Sequence, residues 1–207
     1  MRRSDEKGPR SFLFRGRASL LTRSELLHAI SPAIARSTVV AALGNTSRQI
    51  FAEFDHERCF YLLGSMGMPT SVGLGLSVGA DHDVLVIEGD GGLLMNLGGV
   101  ATAARYGRNN LKIVVVDNEA YESTGAQPSH SGKGANLATI AHGCGISRVV
   151  EVTTPDDAFA LDAWLREPGV SLAVAKVANA SDTPPRVQLT PPEIFHRVQN
   201  SLLKAEK

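Results

Sequence analysis

The sequence predicts an α/β fold, a three-layer α/β/α arrangement around a mainly parallel sheet. Val84–Ile87 and Ile113–Val116 are continuous aliphatic runs rich in β-branched residues, the pattern of parallel strands buried on both faces. Leu93–Tyr106 between them reads as a helix, so the three make a βαβ unit, which is right-handed in nearly all cases. Further short apolar runs alternate with helical stretches on either side, the rhythm of one α/β domain.

The elements follow in order. Arg2, Arg3, Lys7, Arg10, Arg15 and Arg17 open the chain with no apolar signal core behind them, so residues 1–20 are expected as a disordered basic tail. Thr22 and Glu25 form a capping box for a helix through Leu26, Leu27 and Ile30, which Pro32 should end or kink. Thr38–Leu43 is a strand closed by Gly44, Thr46–Phe54 a helix, and Cys59–Leu63 a strand. Gly64-Ser65-Met66-Gly67 turns into a glycine-rich helix carrying Val72, Leu74, Leu76 and Val78. Beyond the central unit come a helix near Asn136–His142, a strand at Val149–Val152, and a helix that Thr154 caps and Pro155 opens. Leu172–Val177 is the last strand. After the Pro184-Pro185 linker, Thr190 and Glu193 cap a C-terminal helix. The expected organisation is a domain over residues 21–180, with linker and helix over 181–207.

Composition narrows the function. Lys plus Arg and Asp plus Glu number 21 each, so net charge offers nothing to nucleic acid or an anionic membrane. No apolar stretch reaches the roughly 18 to 20 residues that span a bilayer. Cys59 and Cys144 match no metal or redox spacing, which points to a reduced, cytoplasmic protein.

The chemistry is expected where the central strands end. Gly89-Asp90-Gly91-Gly92 sits between strand and helix, where small residues leave backbone N–H groups free for an anion. Asp117-Asn118 follows the second strand in the same way. Asp90 and Asn118 thus leave two strand ends of one βαβ unit, offering hard oxygen ligands that suit Mg²⁺ and, through it, phosphate.

Gly89-Asp90-Gly91 with Asn118 downstream resembles the thiamin-diphosphate signature, and the chain from about Thr22 to Ala178 is similar to the diphosphate-binding domain of that superfamily. The resemblance implies thiamin diphosphate and Mg²⁺ as cofactors, with Asp90, Asn118 and the Ala120 carbonyl as metal ligands. It implies Gly91 and Gly92 N–H groups on the diphosphate, Tyr121 beside the cofactor, and Gly44-Asn45-Thr46-Ser47 as a further phosphate turn. Gly64, Ser65 and Met66 resemble the segment under the aminopyrimidine. There Met66 would bend the cofactor so that its amine meets the reactive carbon, making proton removal intramolecular. Gly92 departs from the usual Ser or Thr.

Within the superfamily, Leu63–Met68, Gly91–Leu97 and Asp117–Tyr121 with Ser123-Thr124-Gly125 resemble the beta subunit of sulfopyruvate decarboxylase and the matching half of phosphonopyruvate decarboxylase. That implies a lyase taking CO2 from a small 2-oxo acid. It also implies a hetero-oligomer, because the activating glutamate lies on an alpha subunit with the pyrimidine-binding domain. A split carboligase of the acetolactate-synthase type and a non-catalytic cofactor-binding subunit are the alternatives. Glu122 stands where the decarboxylase pattern has Gly, a carboxylate unfavourable to a dianionic substrate if it points inward. His130 and Lys133 are candidates for a substrate loop, while His142 and Cys144 are expected to pack.

Overall fold

The computed structural model describes residues 21–179 and 183–205, so the expected N-terminal tail and the 180–182 junction lie outside the described residues. Helix α1 (Arg23–Ala29) begins at the Thr22–Glu25 capping box, with both reciprocal hydrogen bonds made. It ends at Ala29 with Ile30 as its cap, just before Pro32, as expected, and Pro32 sits in the first turn of a separate helix α2 (Ser31–Arg36), where its missing N–H costs nothing. Strand β1 (Thr38–Ala41), helix α3 (Asn45–Phe54), strand β2 (Cys59–Tyr61) and helix α4 (Pro69–Gly79) follow. In α4 only Gly73 must be bare for packing, because a Cβ there would overlap Val86; Gly75 and Gly79 face open space.

Strand β3 (Val84–Gly89) leads into a broken helix. The stretch expected as one helix is two, α5 (Asp90–Met95) and α6 (Leu97–Tyr106), broken at Asn96 with φ −139° and ψ 60°. The Asn96 side chain accepts from Gly99 N–H at 3.1 Å and caps α6, a local bond that competes with helix continuation. Strand β4 (Leu111–Asp117) is followed by an unforeseen hairpin, β5 (Ala120–Tyr121) against β6 (Gln127–Pro128). Helix α7 (Leu137–Gly143), strand β7 (Arg148–Val152), helix α8 (Pro155–Leu165), strand β8 (Ser171–Lys176) and helix α9 (Pro191–Ala205) complete the chain.

Six strands pair in parallel in the order β2-β1-β3-β4-β8-β7. One sheet face packs through Val39, Leu85, Ile87 and Val114 against α1, α2 and α8; the other packs through Val86, Ile113 and Val115 against α4, α6 and α7. The chain leaves β1 toward β2 on one side and leaves β3 toward β4 on the other, so the sheet has a topological switch point between β1 and β3. Ligands of open α/β sheets bind outside the strand carboxyl ends at such a point. Among the described residues, no helix is long and apolar enough to cross a membrane.

Candidate functional site

A cleft opens at the carboxyl ends of β1, β3 and β4. Gly44, Met66, Asp90, Gly91, Gly92, Asn118, Ala120 and Tyr121 line it, all candidates from the sequence, together with Glu122, marked there as a departure from the decarboxylase pattern, and with Arg23 and Glu88, which were not marked. Ser47, Gly64 and Ser65 do not line it. Ser47 is buried and donates to the Gly44 carbonyl at 3.0 Å, bracing the turn from behind. Gly44 holds φ at +94°, a left-handed conformation that favours glycine, and carries the chain into α3. With no side-chain cap on α3, its first N–H groups remain available to an anion.

Ser65 at φ 58° and Gly67 at φ 83° turn the segment after β2 so that Met66 reaches Gly91. A Cβ on Gly91 would overlap Tyr121 Cε1 and lie 3.1 Å from Met66 Cε, so close approach of both side chains requires glycine. Asn96 fixes the same segment from below, its Nδ2 donating to the Gly67 carbonyl at 2.8 Å. At Gly92 a Cβ would overlap Glu88 Oε1. The room for the missing Ser or Thr side chain is therefore taken by a buried carboxyl. Burial pushes Glu88 up to about 8, opposed by backbone N–H groups of Gly89 and Thr70.

Asp90 is 3% exposed at the start of α5. Its Oδ2 accepts from Ser129 Oγ, and Ser131 Oγ lies 3.0 Å away. Ser131 also donates to Asp117 Oδ1 at 2.7 Å, and Lys176 Nζ makes an ion pair with Asp117 Oδ2 at 2.8 Å. Burial chiefly, then the Asp117 charge, raise the Asp90 carboxyl, while the serine hydroxyls oppose. Asn118 Oδ1 accepts from Ala120 N–H at 3.2 Å. Its Nδ2 lies 3.5 Å from Glu122 Oε2, which Arg23 Nη1 meets at 2.7 Å. Glu122 is thus matched by a buried arginine, itself held by Gln49 at 2.8 Å.

These residues fit a divalent cation. Asp90 and Asp117 face one shared serine, and Lys176, which pairs with Asp117, also pairs with Glu119, so a cation beside Asp90 would offset the excess negative charge. Among the described residues no three His, Cys, Asp or Glu side chains gather into a metal site. A metal here therefore depends on an amide, a carbonyl and ligand oxygens besides Asp90, as suits Mg²⁺ on phosphate.

The substrate-loop candidates divide by alternation. His130 and Lys133 are exposed, whereas Ser129 and Ser131 are buried against the aspartates. His142, expected to pack, is exposed and its ring nitrogen sits 3.0 Å from the Ile146 carbonyl; Cys144 is half-buried in the core beside α7. Arg23 had no local signal, since its partner is far along the chain.

Comparison with known proteins agrees with this geometry. Residues 42–173 match the family described as thiamine pyrophosphate enzyme, C-terminal TPP binding domain. The chain is 35% identical over 184 residues to sulfopyruvate decarboxylase subunit beta of Methanococcus maripaludis, covering 89% of this chain and 99% of that protein. It is 34% identical over 163 residues to phosphonopyruvate decarboxylase of Streptomyces viridochromogenes, covering 78% of this chain and 41% of that one. In fold it is similar to the thiamine diphosphate-dependent 4-hydroxybenzoylformate decarboxylase of Rhodococcus jostii. The TM-score is 0.63 at 21% identity, covering 86% of this chain and 37% of the other. The cleft at the switch point, the bare Gly91 under Met66 and Tyr121, and these similarities converge on one conclusion: the chain belongs to the thiamine pyrophosphate enzymes, as their C-terminal TPP-binding domain.

Proposed function

We propose that this chain is the diphosphate-binding subunit of a decarboxylase for a small 2-oxo acid with a second anionic group, sulfopyruvate or phosphonopyruvate, giving CO2 and an aldehyde. The observation that carries this is the convergence of Asp90, Gly91, Asn118, Ala120 and Met66 on one cleft. Its relatives by sequence support the substrate class. Thiamin diphosphate, when bound, supplies the electron sink for loss of CO2. Asp90, Asn118 and the Ala120 carbonyl would hold Mg²⁺, and the N–H groups of Gly91 and Gly92, with the start of α3, would hold the diphosphate. Met66 would support the bent cofactor, with Gly64 and Ser65 shaping the turn that presents it.

The activating glutamate would come from a partner, an alpha subunit with the pyrimidine-binding domain. Leu63, Met66, Met68 and Met95 are exposed, Met66 lining the cleft and Met95 lying against Gly67, so that the segment around this turn offers apolar side chains suited to such a chain. The two free cysteines support a cytoplasmic setting.

Co-expression with the partner, followed by a panel of 2-oxo acids, tests the proposal. CO2 and aldehyde from sulfopyruvate or phosphonopyruvate are expected, while acetolactate from pyruvate alone would redirect it to a carboligase. Turnover by the purified chain without a partner would contradict the split site.

A further inference from the structure

We propose that Ser129 and Ser131 are positioning residues that set Mg²⁺ affinity by holding Asp90 through one oxygen and keeping the other for the metal. This rests on Asp90 being a metal ligand. Both hydroxyls converge on Oδ2, and among the described residues Oδ1 receives no side-chain hydrogen bond. Were either oxygen free to take the metal, the carboxylate would rotate between two poses; two hydroxyls on one oxygen fix a single pose. Ligating carboxylates held this way bind metal more tightly than free ones.

The proton count strengthens the case. Ser129 and Ser131 have two hydroxyl hydrogens for four short contacts: each serine with Asp90, Ser131 with Asp117, and the serines with each other at 2.8 Å. With Ser129 donating to Asp90, the single Ser131 hydrogen is shared between Asp90 Oδ2 at 3.0 Å and Asp117 Oδ1 at 2.7 Å. Two carboxylate oxygens then draw on one hydrogen, an arrangement that a cation on Asp90 relieves by drawing charge away from Oδ2.

The same segment reaches a second expected ligand. Pro128 pairs with Ala120 across the hairpin, and Ser129 N–H donates to the Glu119 carbonyl at 2.9 Å. Glu119, at φ 61°, donates its N–H to Asp117 Oδ1 at 3.1 Å. Residues 128–131 therefore tie Asp90, on one strand end, to Ala120, beyond the next. A shift of this segment moves both ligands together.

The test is calorimetry on the full-length chain, with Mg²⁺ titrated at saturating thiamin diphosphate and thiamin diphosphate titrated at saturating Mg²⁺. Ser129→Ala/Ser131→Ala is expected to weaken Mg²⁺ binding about 10- to 100-fold, with the thiamin diphosphate titration at saturating Mg²⁺ changed less than about twofold. Ser129→Thr, which retains the hydroxyl, should restore most of the affinity in an otherwise native chain. Unchanged Mg²⁺ affinity in a folded double variant would overturn the proposal, as would an equal loss in both titrations, which marks a merely structural role. If the double variant does not fold, Ser131→Ala alone is read by the same criteria. A native chain that binds thiamin diphosphate equally well without Mg²⁺ removes the metal assignment itself, a failure visible before any variant is made.

Discussion

A carboxylate at position 122 would oppose an anionic substrate if it stood alone, but Arg23 changes its meaning. Arg23 is 4% exposed and Glu122 17%, close enough to burial that removing one partner leaves a charge without compensation. Loss of one member of a buried pair costs about 3–5 kcal/mol. Because Glu122 keeps some solvent, Arg23→Met should cost about 2–3 kcal/mol by urea unfolding. Arg23→Met/Glu122→Gln should recover at least half of that. Equal losses in single and double variants would show that the arginine acts through packing alone. Gly91 makes a separate point: a Cβ there overlaps the Tyr121 ring, which must swing into the cleft or away from it. Gly91→Ala is expected to weaken thiamin diphosphate binding more than tenfold, about 1.4 kcal/mol or more, with a small change in melting temperature. Calorimetry beside a thermal scan checks this. These two residues also mark how far sequence reaches at this scale. Gly91 was legible because motif and local turn coincide; Arg23 was not, because its charge partner comes from a different part of the chain.

Among the elements, α5 and α6 show a local polar side chain overriding a helical hydrophobic pattern. Asn96 accepts from Gly99 N–H and donates to the Gly67 carbonyl, so it ends one helix, begins another and ties down the Met66 turn. Asn96→Asp keeps the cap but loses the donor to Gly67, whereas Asn96→Ala loses both. Unfolding should register about 1 kcal/mol for the lost cap in the alanine variant and little in the aspartate variant, while both weaken cofactor binding. If only the alanine variant weakens it, the Gly67 tie is immaterial. Helix α9 is anchored differently. Arg197 Nη1 meets Asp55 Oδ2 at 3.0 Å, and the guanidinium also donates to the Cys59 carbonyl and lies over the Tyr61 ring. Burial would raise the Asp55 carboxyl, but the hydrogen bonds from Arg197 and Tyr61 outweigh it and hold the group below its ordinary value of 3.8. A depressed carboxyl stabilises the fold above its unfolded value and loses that contribution as pH falls through its folded value. The melting-temperature gap between native and Arg197→Gln chains should therefore be constant from pH 7 to about 5 and shrink below about 4. A gap unchanged down to pH 3 would show that the ion pair contributes nothing.

At the scale of the whole molecule, most of the sheet was legible and its order was not. Continuous runs such as Val84–Ile87 identify buried strands by themselves, whereas the step that places β3 beside β1 and creates the switch point depends on long-range pairing. The metal motif was legible because its residues follow those runs directly. Ser129 and Ser131 were not, since only the hairpin of β5 and β6 folds them back onto Asp90. Leu63 is 50% exposed, Met68 41% and Met95 67%, large apolar side chains near a cleft whose lining, among the described residues, holds no glutamate but Glu88 and Glu122 for the activating role proposed for the partner. Glu88 is buried against Gly92 and Glu122 is paired with Arg23, so neither is free for the role. If these side chains receive the partner, placing a charge among them should break association without disturbing the sheet. Met68→Glu/Met95→Glu is expected to lower partner affinity at least tenfold, by about 1.4 kcal/mol or more, with an unchanged melting temperature for the isolated chain. Undiminished co-purification of the variant with its partner would place the interface elsewhere.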